Sequence, residues 1–278
     1  MIDVLFTADF GRRALVAATV VGLVAPVVGA FLVQRRLSLV GDGIGHLALA
    51  GVAIGVLVGV TGLVGALVVA LLGAVLLEAL RVRGRLTGDL SLALVFYLGI
   101  AAGAVGLSLA GRFDTSVLGV LFGTLFALSW ADVAVILLLG GVVVAAVLLL
   151  YRPLLAVALD EETARAGGLP VDALNLSLVA LTALLVVGGM RVVGLLLVAA
   201  LMVVPVAAGS KVAHSFRATL GWAVAVGAGS TWAGLLVAAW HGNLVPGGTI
   251  VLTAIAAFVG FALIGRRTAV GHRPRRTA

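Results

Sequence analysis

The sequence predicts an all-α membrane protein: a polytopic bundle of eight or nine transmembrane helices, with one short helix on the cytoplasmic face. Three observations predict it. The 278 residues are 63% hydrophobic and only 10% charged, whereas a soluble domain carries about 25% charged residues. Mean hydropathy is +1.31. Apolar runs of about 20 residues recur between charged breaks, each long enough for a hydrocarbon core of about 30 Å.

Nine candidate spans fall at about 14–33, 43–58, 63–80, 90–109, 133–150, 171–189, 193–208, 218–240 and 248–265. The first is too long for a signal-peptide core and ends in Arg, not in a small-residue cleavage site, so it reads as a retained helix. Alternate loops hold Arg35 and Arg36; Arg81, Arg83 and Arg85; Arg152 and Arg165; Lys211 and Arg217; and Arg266, Arg267, Arg273, Arg275 and Arg276. The opposite loops hold mainly Arg112, Asp114, Asp132, Arg191 and His241. The positive-inside rule puts the first set in the cytoplasm, with the C-terminus inside and, for nine spans, the N-terminus outside. Arg12 and Arg13 oppose that count, unless Asp3 and Asp9 offset them or one short run does not cross. Runs 43–58 and 193–208 are the short ones, and Pro205 interrupts the second. A single transmembrane domain covers residues 1–278 and ends in a basic cytoplasmic tail, 266–278.

Glycine is frequent, with 38 residues. Gly51, Gly55 and Gly59 fall at four-residue spacing, as do the pairs Gly99/Gly103 and Gly119/Gly123. Such stripes let helix backbones approach closely, and the first would make the helix after Asp42 central to the bundle.

Composition and motifs also exclude functions. The net charge is +7, but basic residues punctuate the spans in short groups and form no nucleic-acid patch. Without cysteine there is no thiolate metal site and no sulfur redox chemistry. The sequence contains no G-x-x-x-x-G-K-S/T phosphate loop, no H-E-x-x-H and no G-x-S-x-G, which leaves an ATPase or hydrolase without its machinery. The chain is therefore not expected to be an enzyme.

Two acidic residues, Asp42 and Glu78, sit at or inside spans. Glu78 is one turn from Arg81 and reads as an interfacial residue paired with arginine. Asp42 is different, because a carboxylate at mid-bilayer costs about 2.5–3.5 kcal/mol and usually marks an ion or substrate path. His46 follows at i+4 on the same helical face. A carboxylate and an imidazole together suit a divalent transition metal, and two copies of the pair across a two-fold axis would supply four ligands. Spacing alone leaves two other readings open: a hydrogen-bonded Asp–His pair that only pins helices, or an Asp capping a helix that starts near Gly43. His214, His241 and His272 read as solvated. Farther on, Pro153 starts and Gly167-Gly168-Pro170 stops a cytoplasmic helix of about 15 residues, serving either as a tether or as a docking surface for a soluble partner.

The run RRLSLVGDGIGHLALAGVAIG (35–55) resembles the signature of the metal-type ABC importer permeases, which serve zinc, manganese or iron uptake. DEETARAGGLPV (160–171) resembles that family's coupling segment, VVGLLLVAALMVVPVAAGS (192–210) its late apolar run, and LFGTLFALSWAD (121–132) its external stretch. The resemblance implies the transmembrane subunit of an ATP-driven importer, with Asp42 and His46 on the metal path. It also implies ATPase coupling through Asp160, Glu161, Glu162, Ala164, Arg165 and Gly168. A homodimer, cytoplasmic ATP-binding subunits, an extracytoplasmic metal-binding protein and a bacterial cytoplasmic membrane location are implied as well. The ion would be cargo, with no permanently bound cofactor and ATP held on the partner. Rival readings are a permease for a metal chelate such as a siderophore, and an ATPase-independent carrier or channel.

Overall fold

A computed structural model describes residues 2–82, 88–111, 119, 121, 123–242 and 244–270. Arg83, Arg85, Arg112, Asp114, His272, Arg273, Arg275 and Arg276 lie outside the described residues, as does most of the basic tail.

Apolar composition with few internal charges turns nearly every run into helix, since in lipid each backbone N–H and C=O must be satisfied within its own segment. The described helices are α1 (Ile2–Thr7), α2 (Asp9–Gln34), α3 (Val40–Leu57), α4 (Gly62–Val82), α5 (Gly88–Leu109), α6 (Trp130–Leu149), α7 (Tyr151–Leu159), α8 (Glu161–Ala166), α9 (Val171–Met190), α10 (Leu195–Gly209), α11 (Phe216–His241) and α12 (Pro246–Val270). Eight of them are long and apolar enough to cross a membrane. The ninth apolar helix, α10, has 15 residues and spans about 22 Å, short of a full core. Contacts along α10 nevertheless run as a crossing would. Gly45 abuts Leu195 near its start and Gly41 abuts Met202 farther along, so α10 is antiparallel to α3. With it, all nine segments alternate in direction.

Helix α3 is central, packing on α4, α5, α9 and α10. Small residues make this possible. A Cβ on Gly51 would strike the backbone of Gly65 on α4, and one on Gly99 of α5 would lie 2.6 Å from the His46 carbonyl carbon. Gly103 and Gly106 repeat the close approach against Ala50 and Ala53. Two expected stripes are corrected in part. Gly59 (φ +76) lies in the turn beyond α3 with open space around it, and Gly123 (φ +79) abuts the 192–194 turn, not a helix.

At the outer end, Ser129 and Asp132 form a reciprocal capping box that starts α6, and Asp132 also binds Arg191 after α9. On the cytoplasmic side the single helix expected over about 15 residues is two, α7 and α8. Asp160 is extended (φ −154) between them and caps the second.

Candidate functional site

Asp42 lies in the first turn of α3, which begins at Val40 with Leu39 at its N-cap, three residues before the predicted start near Gly43. It makes no capping hydrogen bond. Its depth follows from the packing. Gly41 faces Met202, and Met202 packs on Gly29, which is six residues or about 9 Å of helix above Arg35. Asp42 thus lies farther into the bundle than Arg35, and His46 one turn farther still.

The alternating glycines around Asp42 have a packing cause. A Cβ at Gly41 would sit 3.3 Å from the Met202 sulfur, at Gly43 3.0 Å from Leu92, and at Gly45 2.7 Å from Leu195. Neighbouring helices α5 and α10 therefore close on α3 at every second residue, and the Asp42–His46 face is left open. Both side chains are half-buried. They line one pocket of about 400 Å³ together with Leu39, Leu92, Ala93, Phe96 and Tyr97. The His46 ring stands edge-on to Phe96 with centroids 4.6 Å apart. Its Nδ1 is buried without a hydrogen-bond partner, and no described residue bonds the Asp42 carboxylate. The pair is therefore not a pinning hydrogen bond.

Among the described residues of one chain, no third His, Cys, Asp or Glu joins them as a metal-binding group. Glu78 is buried and paired with Arg81 at 3.2 Å, the arginine pairing its sequence position suggests. His214 and His241 are exposed.

Downstream, the residues Asp160 to Gly168 form one compact unit. The Thr163 hydroxyl (2.6 Å) and amide (3.0 Å) donate to Asp160 and hold its carboxyl below the usual carboxylate range. Glu162 is exposed and Ala164 buried. Arg165 donates to Asp172 at 2.7 Å. Gly168 (φ +81) closes α8 by a Schellman motif, with Gly168 N–H on the Arg165 carbonyl and Leu169 N–H on that of Ala164.

Glu161 makes contacts that the sequence did not announce. Arg35, read there only as a positive-inside residue, is 6% exposed and donates to Glu161 at 2.8 Å and to Asn175 at 2.5 Å. Burial, with Arg81 nearby, lowers the guanidinium from its ordinary value, and Glu161 opposes that shift. Asn175, itself buried, was one polar residue in an apolar run, which is its only sequence signal.

A helix bundle of this topology, with a lateral, mainly apolar pocket that holds one carboxylate and one imidazole, and with a structured cytoplasmic segment, defines a multi-pass membrane permease. Residues 7–265 match the model of the ABC 3 transport family, and the chain belongs to that family. It is 34% identical over 263 residues to the "Probable metal transport system membrane protein" of Treponema pallidum, covering 95% of this chain and 97% of that protein. It is 30% identical over 250 residues to the manganese import system permease protein ScaB of Streptococcus gordonii, with 90% and 89% coverage. Among solved structures, PsaBC from Streptococcus pneumoniae in complex with Fab aligns with a TM-score of 0.84 at 30% identity, over 94% of this chain and 93% of that one. The chain is the permease subunit of a metal ABC importer and a multi-pass protein of the bacterial inner membrane.

Proposed function

We propose that the cargo is a divalent transition metal, Mn²⁺ ahead of Zn²⁺ or Fe²⁺, and that two copies of the chain join their Asp42–His46 pairs across a two-fold axis on its path. The observation that carries this is the unpartnered carboxylate and imidazole lining one lateral pocket within the membrane. Such a face cannot be left to lipid, where the carboxylate alone would cost about 2.5–3.5 kcal/mol. One chain offers two donors, and a second copy supplies the other two. Carboxylate and imidazole without thiolate suit Mn²⁺, Zn²⁺ and Fe²⁺ and disfavour Cu(I). Manganese leads because several relatives, ScaB of Streptococcus gordonii among them, bear the name of manganese permeases. ATP-binding subunits engage Asp160, Glu161, Glu162, Ala164, Arg165 and Gly168 from the cytoplasm, and an extracytoplasmic metal-binding protein delivers the ion.

The test is radioactive Mn²⁺ uptake by proteoliposomes holding the complete transporter. Asp42→Asn is expected to lower uptake about tenfold or more, the loss of one charged ligand. Undiminished uptake by correctly assembled Asp42→Asn transporter would remove Asp42 from the path.

A further inference from the structure

Arg35 stands where three parts of the chain meet. It ends α2, its partner Glu161 opens the short cytoplasmic helix α8, and Asn175 lies in the first turns of α9. Asn175 Nδ2 also donates to Glu161 at 3.4 Å, which closes a triangle of hydrogen bonds. Arg35 is also seven residues before Asp42, and the connection is stitched by its own backbone. Leu37 N–H bonds the Leu32 carbonyl (2.8 Å), Val40 N–H that of Leu37 (3.1 Å) and Gly43 N–H that of Leu39 (3.1 Å). Arg36 holds the corner in the left-handed region at φ 59. A corner bonded this way moves as a unit.

The two ends of the Arg35–Glu161 contact differ in environment. Arg35 is almost wholly buried, whereas the Glu161 side chain is 40% exposed on a helix of six residues. A buried charge pair is weak evidence for stability, because an apolar replacement is often as stable. A fixed cation gripping an anion on a small, exposed element is better suited to transmitting displacement.

We infer that Arg35 is a positioning residue that ties the Asp160–Gly168 segment to the first turn of α3, so that movement imposed on that segment reaches Asp42. The inference rests on reading residues 160–168 as the contact for the ATP-binding subunit. When that subunit displaces α8, Glu161 pulls on Arg35, and the stitched corner carries the motion into the turn that holds the metal-path carboxylate. Asn175 keeps Arg35 aligned with Glu161 because it bonds both.

The experiment measures Mn²⁺ uptake and ATP hydrolysis together in proteoliposomes of the complete transporter. Arg35→Gln is expected to keep ATP hydrolysis within about twofold of wild type while Mn²⁺ moved per ATP falls about tenfold. The double variant with Arg35→Glu and Glu161→Arg is expected to raise that ratio about fivefold over either single variant, because the pair is restored in reverse. A wild-type ratio for Arg35→Gln, a parallel fall of uptake and hydrolysis, or a double variant no better than the singles would each overturn the inference. If Arg35→Gln fails to assemble, the double variant decides. Asp42→Asn is the separate arm: full uptake there removes the metal-path reading, while the transport-to-hydrolysis ratio of the Arg35 variants still tests the tie.

Discussion

His46 makes the sharpest single-residue prediction. Only the neutral imidazole can bind a metal, so protons compete with the ion for its ring nitrogen. The apparent KM for Mn²⁺ uptake is therefore expected to rise as pH falls from neutral to mildly acidic. The His46→Gln transporter should start weaker and lose most of that dependence; uptake measured from neutral to mildly acidic pH, with ATP turnover controlled, checks it. A pH-independent wild type would show that His46 is no ligand. The sequence made this pair legible because i,i+4 spacing is local and fixes a shared face. It could not announce Arg35, whose partners Glu161 and Asn175 lie 126 and 140 residues away. Nothing in the spacing of Arg35 and Arg36 separates a buried ion pair from a solvated positive-inside charge. The dense glycines around Asp42 were visible, but the reason for them was not, since Leu92, Met202 and Leu195 approach from distant segments.

Among the elements, the pairing of α5 with α3 positions the pocket, and glycine sets its closeness. Gly99 abuts the backbone of His46 and Leu47, atoms that cannot swing away as a flexible side chain would. Gly99→Leu is expected to push the helices apart, destabilising the protein by about 1–3 kcal/mol as other overpacked interiors do. Thermal unfolding of the detergent-purified protein should show a lowered Tm, and Mn²⁺ uptake should fall because the pocket wall moves. Gly141, with open space where a Cβ would stand, provides the control: Gly141→Leu should leave both unchanged. The same physics explains how far helices could be read from the chain. Long apolar runs could only be helices in lipid, and the spans agree with the described helices to within a few residues at most ends. The cytoplasmic stretch read less well. Its stop at Gly167-Gly168 was foreseen, but Asp160 starts a second helix in the middle by capping Thr163, a polar competition that hydropathy does not register.

For the whole molecule, alternating helix direction was within reach of charge counting, though the choice between eight and nine segments was not; nor was the open α3–α5 face, because hydropathy does not say which apolar side chains neighbouring helices leave uncovered. The exposed side chains on that face belong to residues around the pocket: Leu39 at 62% and Tyr97 at 67%. Exposure alone does not distinguish lipid from protein, since Leu138 on α6 is equally open at 66%. The distinction comes from the polar groups behind it. Asp42 and His46 open toward the Leu39–Tyr97 side, whereas α6 packs on α2 and α9 and bears no charge in its apolar body. Lipid can cover the second face without cost but not the first. The chain has no cysteine, so single thiols can be placed without background. In native membranes, Tyr97→Cys is expected to join two permease copies when treated with a short bis-maleimide, while Leu138→Cys stays monomeric on a denaturing gel. Mn²⁺ should change the Tyr97→Cys yield if the ion is held between the copies, and Asp42→Asn in the same background should abolish that change. Equal cross-linking at the two positions, or none at Tyr97, would place the pocket away from any two-fold contact and leave the four-ligand arrangement without its second half.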